Sequence, residues 1–221
     1  MKNTLYIVIG IILFGAIWGF AEATAGAVLH LANSPHKGQI MTSFGVMVMS
    51  LAAAVYKPKN TLAFMVGLGV VASLVKGVDV LFLGLDSHVM RVMVVIPLEA
   101  AAFGAIASIF HKSFYSNNTL RPVIGAASAY ASFFLLALVY VYGGIGSKFW
   151  VGMNFTGIVN FALTDGTIAA VLALVTTDAG FRVGASVKAG VEDFVSRNPL
   201  VYYLASLAVS GTLLFARLRL A

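Results

Sequence analysis

Apolar residues fill seven long stretches of the chain, and short turns rich in Gly, Pro, Asn and Ser separate these stretches. About 20 apolar residues suffice for a helix to cross a bilayer. The pattern therefore predicts an all-α integral membrane protein, a polytopic bundle of six or seven transmembrane helices in one domain of residues 1–221. The predicted spans are 5–31, 40–56, 61–83, 89–110, 120–143, 150–177 and 199–218.

The segment after the sixth predicted span has a different pattern, with apolar residues at helical spacing opposite charged ones. Its apolar positions include Val187, Val191 and Phe194, and Asn198-Pro199 ends it. This pattern predicts a short interfacial amphipathic helix near 185–197 that rests on the membrane surface. A docking surface for a cytoplasmic partner is the alternative interpretation.

Two of the predicted spans contain similar short segments. Residues 22–27 read Glu-Ala-Thr-Ala-Gly-Ala, and residues 99–105 read Glu-Ala-Ala-Ala-Phe-Gly-Ala. If this similarity reflects an internal repeat of three helices, the two halves are inverted relative to each other, as in many secondary transporters. The sequence therefore suggests a weak three-plus-three inverted repeat.

The composition agrees with the membrane prediction, and the positions of the basic residues indicate how the protein is oriented in the membrane. The chain is 60% hydrophobic and only 10% charged, with a mean hydropathy of +0.97, against about 25% charged residues in soluble proteins. Its 14 Lys and Arg residues are scattered singly, which indicates topology signals and argues against nucleic-acid binding. A cytoplasmic N-terminus places more basic residues inside than outside, so we expect the N-terminus to be cytoplasmic. The expected location is the cell (plasma or inner) membrane. Arg217 and Arg219 fit badly, because seven spans leave them outside.

Four of the eight acidic residues lie inside predicted spans: Glu22, Asp79, Glu99 and Asp165. A carboxylate in hydrocarbon is expensive, so such a residue usually faces a partner, a cavity or an ion path. The predicted topology places Glu22, Asp79 and Glu99 at similar depth, with Asp165 close enough to join them. These acids are the candidate substrate-binding or proton-coupling residues.

Three nearby residues modify this interpretation. Lys76 lies three residues before Asp79 on the same predicted helix and can neutralise it. Glu99 follows Pro97, whose ring frees the carbonyl of Met93, and a kink beside a carboxylate suits a cation or a proton. Arg91 or a neighbouring helix is the alternative partner of Glu99.

A polar stripe follows one face of the sixth predicted span. It consists of Thr156, Asn160, Thr164 and Thr167, with Asp165 adjacent. Such a stripe is typical of a helix that lines a hydrated pathway or a polar ligand. The alternative is that the threonines bond to their own helix backbone or to neighbouring helices.

Motifs for known chemistry are absent from the sequence. It contains no serine-hydrolase elbow, no zinc-protease motif, no Walker A loop and no dinucleotide-binding glycine pattern. It also contains no cysteine, and we expect no metal and no cofactor.

Transport of a small solute, cationic or coupled to protons, is the leading functional hypothesis. Size and span count are similar to those of vitamin-uptake substrate-binding subunits, which work with a separate ATPase module. The expected partners are the lipid bilayer, a small molecule or ion, and membrane or cytoplasmic subunits. Alternatives are a non-transporting subunit of a respiratory-type membrane complex and an intramembrane enzyme in which Asp79 and Asp165 share protons.

Overall fold

The computed structural model describes residues 4–80, 87–143 and 150–220. These ranges contain helices and no strand. The helices are α1 (Thr4–Leu31), α2 (Lys37–Tyr56), α3 (Thr61–Gly77), α4 (Ser87–Ile109), α5 (His111–Ser116), α6 (Leu120–Tyr142), α7 (Phe155–Arg197) and α8 (Pro199–Leu220).

The predicted helical class is confirmed, and six of the helices are long and apolar enough to cross a membrane. These six are α1, α2, α4, α6, α7 and α8; α3 is a shorter apolar helix of 17 residues. The predicted span 61–83 therefore extends further than α3, and its last residues lie outside the described ranges. The three-plus-three repeat stays a prediction.

Local signals explain the tight turn between α2 and α3. Lys57 adopts a left-handed backbone conformation, with φ of 41°, and its N–H donates to the carbonyl of Ala53, which ends α2. Asn60 then caps α3, because its side-chain oxygen accepts the N–H of Ala63 at 2.9 Å. The turn brings the start of α3 close to the end of α2.

The separate interfacial helix predicted near 185–197 is wrong, because α7 runs unbroken for 43 residues. Gly180 and Gly184 allow α7 to pack against the α2 backbone beyond residue 177. Val191 and Val195 pack against the bundle core. Val187 and Phe194, from the same predicted apolar face, are 45% and 43% exposed. Only part of this face therefore continues the packing of α7, and the helix ends before Asn198-Pro199.

Helix α2 forms the centre of the bundle. In the apolar 18-residue segment of α2, 72% of the residues are buried, against 17% in the corresponding segment of α8. α2 packs mainly against α7 and α1. Gln39 bonds to Asp165 and Ser50 to the carbonyl of Thr177, so α2 and α7 run in the same direction. α8 packs mostly against α1, at the periphery of the bundle.

Candidate functional site

Polar side chains from several helices meet toward one end of the bundle. Lys76 and Arg217 lie near the ends of α3 and α8, whereas Gln39 and Thr42 lie in the first two turns of α2. Because α2 runs opposite to α1 and α3, its beginning lies at the same end as their last turns. Glu22 of α1 joins this level through its electrostatic interaction with Lys76.

Asp79 has two buried cationic partners. Its Oδ2 lies 2.7 Å from Lys76 Nζ, which confirms the predicted ion pair. Its Oδ1 accepts a hydrogen bond from Arg217 Nε at 2.7 Å and a second from Arg217 Nη2. The whole group is buried, with Asp79 only 2% exposed. Asp79 is therefore fully compensated, and the triad of Asp79, Lys76 and Arg217 carries one positive charge in excess.

The second partner of Asp79 corrects the interpretation of Arg217. The sequence gives this residue the position of an exposed, C-terminal topology signal, yet it is 8% exposed and pairs with an acid 138 residues away. Its guanidinium is paired with a carboxylate within the bundle. Arg217 is therefore not a free loop charge, and half of the topological conflict that Arg217 and Arg219 create disappears.

Glu22 and Glu99 form the second group, and both are 7% exposed. Trp18 Nε1 donates to Glu22 Oε1 at 3.3 Å, and Thr42 Oγ1 donates to Glu99 Oε1 at 2.5 Å. The two carboxyl groups are close enough to interact electrostatically. Glu22 and Glu99, from α1 and α4, therefore lie within electrostatic range of each other, while each accepts a hydrogen bond from a different residue.

The proposed partnership of Arg91 with Glu99 stays a prediction. Both residues interact electrostatically with Tyr140 of α6. Tyr140 is buried and stacks edge-on against Trp150, with ring centroids 5.1 Å apart. Arg91 therefore belongs to the electrostatic surroundings of Glu99.

Close helix packing fixes the position of Glu22. A Cβ atom added at Gly19 would lie 2.5 Å from the carbonyl oxygen of Ala72, and one added at Gly45 would lie 2.7 Å from the Trp18 ring. These glycines allow α1 to approach both α3 and α2. The Trp18 indole, which is completely buried, is thereby held where it can donate to Glu22.

Pro97 removes one backbone hydrogen bond from α4, and a side chain of a neighbouring helix replaces it. Pro97 cannot donate a backbone hydrogen bond to the carbonyl of Met93. Ser73 of α3 donates its hydroxyl to that same carbonyl oxygen at 2.7 Å. The carbonyl oxygen of Met93 therefore has a hydrogen-bond donor on α3. The functional hypothesis for this region then rests on the carboxyl group of Glu99.

Asp165 is linked to the same region through α2. Gln39 Nε2 donates to Asp165 Oδ1 at 2.8 Å. Gln39 and Thr42 are three residues apart on α2, so one turn of this helix touches both Asp165 and Glu99. Asp79 and Asp165 bind different partners, an ion-pair triad and an amide, which does not favour a shared catalytic carboxyl pair.

The predicted polar stripe of α7 does not line the interior of the bundle. Asn160 and Thr164 are exposed on the outer surface of the chain, as are Thr156 and Thr167. Thr164 Oγ1 donates to the carbonyl of Asn160 at 2.9 Å, and Thr167 shares a hydrogen bond with Tyr130. Backbone and interhelical bonding, the alternative interpretation, describes these threonines.

The sequence also missed a buried ion pair at the opposite end of the bundle. Arg121 is 2% exposed, and its Nη1 lies 2.8 Å from Asp178 Oδ1. Its Nε donates to the carbonyl of Phe114 at 2.8 Å. Asp178 follows the predicted end of the sixth span by one residue, and Arg121 follows a polar turn, so neither position signalled burial.

No family model, no curated protein and no solved structure matches this chain.

The charge of the polar end decides what the site can do chemically. Three buried acids, Glu22, Asp79 and Glu99, share it with two buried bases, Lys76 and Arg217. The half-buried Asp165 and Arg91 add one charge of each sign and leave the balance unchanged. Three negative and two positive formal charges leave one negative charge in excess. An excess charge in such surroundings is expensive and is normally removed by a proton or matched by a cation. The arrangement is therefore suited to holding one exchangeable positive charge.

Proposed function

We propose that this chain is an integral protein of the cell membrane that moves a small solute in exchange with, or together with, a proton held by Glu22 and Glu99. The observation that carries the proposal is the electrostatic interaction between these two buried carboxyl groups on separate helices. The one excess positive charge of the neighbouring triad can match only one of the two carboxylates. The six long apolar helices support membrane insertion, and the distribution of basic residues supports a cytoplasmic N-terminus.

The chemistry follows from the proximity of the two acids. Neighbouring carboxyl groups resist ionising together, so one of them retains a proton that the other can stabilise. The indole N–H of Trp18 can only donate, which favours the ionised form of Glu22. The Thr42 hydroxyl can donate or accept, so it can serve Glu99 in either protonation state. A small ammonium group carries the same charge as the proton and can compete for the site.

The proposal is tested by uptake into proteoliposomes that hold a fluorescent pH indicator. Labelled methylammonium, choline and putrescine serve as probes, with wild type, Glu22→Gln, Glu99→Gln and the control Glu192→Gln compared. Glu192 lies on the C-terminal part of α7, where its carboxylate is 43% exposed. We expect wild type and the control to move a probe with a change of internal pH and both site variants to fail. Equal uptake by all four proteins, or no uptake of any probe, contradicts the proposal.

A subunit of a larger membrane complex is the second candidate function. The observation that favours it is the outward-facing polar stripe of α7, since exposed Asn and Thr side chains in an apolar helix suit hydrogen bonds to another protein. Purification in a mild detergent tests this candidate. It predicts a stoichiometric partner that is lost when Asn160 and Thr164 are both replaced by valine; a chain that purifies alone contradicts it.

A further inference from the structure

A polar cavity of about 360 Å³ lies at the end of the bundle opposite Glu22, Asp79 and Glu99. It opens where the turn between α2 and α3 faces the junction of α4 and α5. All of its lining residues are polar: Lys59, Asn60, Thr61, Ser108 and His111. A site of this composition does not suit an apolar ligand, and its size accommodates a small polar group.

The lining offers hydrogen-bond donors and positive charge, and it includes no carboxylate. The Ser108 hydroxyl oxygen is buried and has no hydrogen-bond partner among the described residues. Lys59 brings a positive charge, and the cavity borders the first turn of α3, where the helix dipole favours an anion. Thr61 Oγ1 and His111 Nδ1 are 3.4 Å apart, at the limit of a hydrogen bond.

The residues beside the cavity add no negative charge. The Tyr115 ring packs against His111, with centroids 4.7 Å apart. Burial raises the pKa of Tyr115 to about 12, so its phenol is neutral at physiological pH. Lys57 lies on the adjoining turn and is exposed. The electrostatic surroundings of the cavity therefore attract anions.

We propose that this cavity binds a phosphate group, with Lys59 as the ion-pair partner and the Ser108 hydroxyl as a buried donor. A compact tetrahedral anion offers several oxygens, which match the several donors of the lining. The group can belong to an anionic lipid, since basic pockets at membrane-facing helix ends suit lipid headgroups, or to a small soluble phosphate. This binding site is separate from the acidic pair and does not depend on the proposed transport.

Native mass spectrometry of the full chain in detergent tests the proposal. The probes are dioleoylphosphatidylglycerol, dioleoylglycerol, which has no phosphate group, and inorganic phosphate as a competitor. Preferential retention of phosphatidylglycerol without competition by phosphate identifies a headgroup site; displacement by inorganic phosphate identifies a site for a small phosphate. Retention of both lipids to the same extent, with no effect of phosphate, overturns the proposal.

Variants locate the binding to the cavity. Lys59→Gln should weaken binding about fivefold to tenfold, which is the effect of one lysine charge near an anionic group. Ser108→Ala should weaken it as well, and Lys59→Arg should restore it. Lys112→Gln is the matched control, because Lys112 is exposed at the same end and does not line the cavity. Equal losses in Lys59→Gln and Lys112→Gln, or none in Lys59→Gln and Ser108→Ala, contradict the assignment.

Discussion

Replacing Arg121 by methionine should destabilise the protein strongly. The Arg121 guanidinium donates to Asp178 and to the carbonyl of Phe114, at 2.8 Å each, and its carbon lies 3.6 Å from the centre of the Phe181 ring. A hydrogen bond to a charged group contributes about 1.5–3 kcal/mol, and a desolvated cation–π contact about 2 kcal/mol. Methionine retains much of the apolar packing of the arginine stem. We therefore expect a loss of about 3–5 kcal/mol in the free energy of unfolding, the usual effect of breaking a buried ion pair.

Arg182→Met is the matched control, because Arg182 binds the other oxygen of the same carboxylate, Asp178 Oδ2, at 2.5 Å. The Arg182 side chain is 71% exposed, so its removal should cost less than about 1 kcal/mol. Both variants are measured by equilibrium unfolding in mixed micelles with increasing fractions of sodium dodecyl sulfate. Similar losses for the two variants would refute the reasoning, since Arg121 is buried and also contacts Phe114 and Phe181, whereas Arg182 is exposed.

Two further substitutions test the packing of α7 and the surroundings of Glu99. Gly180→Ala places a methyl group against the carbonyl oxygen of Met47 and should lower the free energy of unfolding by about 1–3 kcal/mol in the same assay. In Gly190→Ala the new methyl group meets no atom within 4 Å, so this control should not destabilise the protein. Equal effects of the two substitutions would contradict the close approach of α7 to α2. Thr42→Val removes the hydroxyl that donates to Glu99 and should reduce uptake at least about tenfold, the equivalent of one hydrogen bond to a charged group. Thr42→Ser keeps the hydroxyl and should keep the uptake. Uptake by Thr42→Val at the wild-type rate would exclude a role for this hydrogen bond.

The sequence predicted the helical elements well, because long apolar stretches and turn residues are local signals. The end of α3 and the unbroken length of α7 were missed. Packing of Gly180 and Gly184 against α2 stabilises the continued helix, and no local pattern records such a contact. The sequence alone therefore does not predict a helix boundary that depends on packing against a neighbouring helix.

The candidate site was predictable only where its contacts are local. Lys76 and Asp79 are three residues apart, and their pairing follows from helical geometry. Gln39 is 126 residues from Asp165, and Thr42 is 57 from Glu99. Periodicity indicates which residues share a face of one helix, but the choice of the facing helix depends on tertiary packing.

The partner of Asp79 on α8 illustrates the same limit more strongly. Arg217 was interpreted as a topology signal because exposed arginines near the ends of spans commonly have that role. Its burial against Asp79 depends on the position of α8 beside α1, which the sequence does not encode locally. The net charge of the polar end could be calculated only once the structure had placed Arg217 there, and the result is an excess of one negative charge.

An infrared spectrum of the protein in lipid bilayers at neutral pH tests the shared-proton site most directly. Because three buried acids face two buried bases, we expect one protonated carboxyl group to remove the excess negative charge in wild type. Removing either Glu22 or Glu99 balances the charges, so the remaining acid can ionise. We therefore predict a protonated-carboxyl carbonyl band in wild type that is lost in both Glu22→Gln and Glu99→Gln. A wild-type spectrum without this band, or a band of undiminished intensity in both variants, would contradict the account.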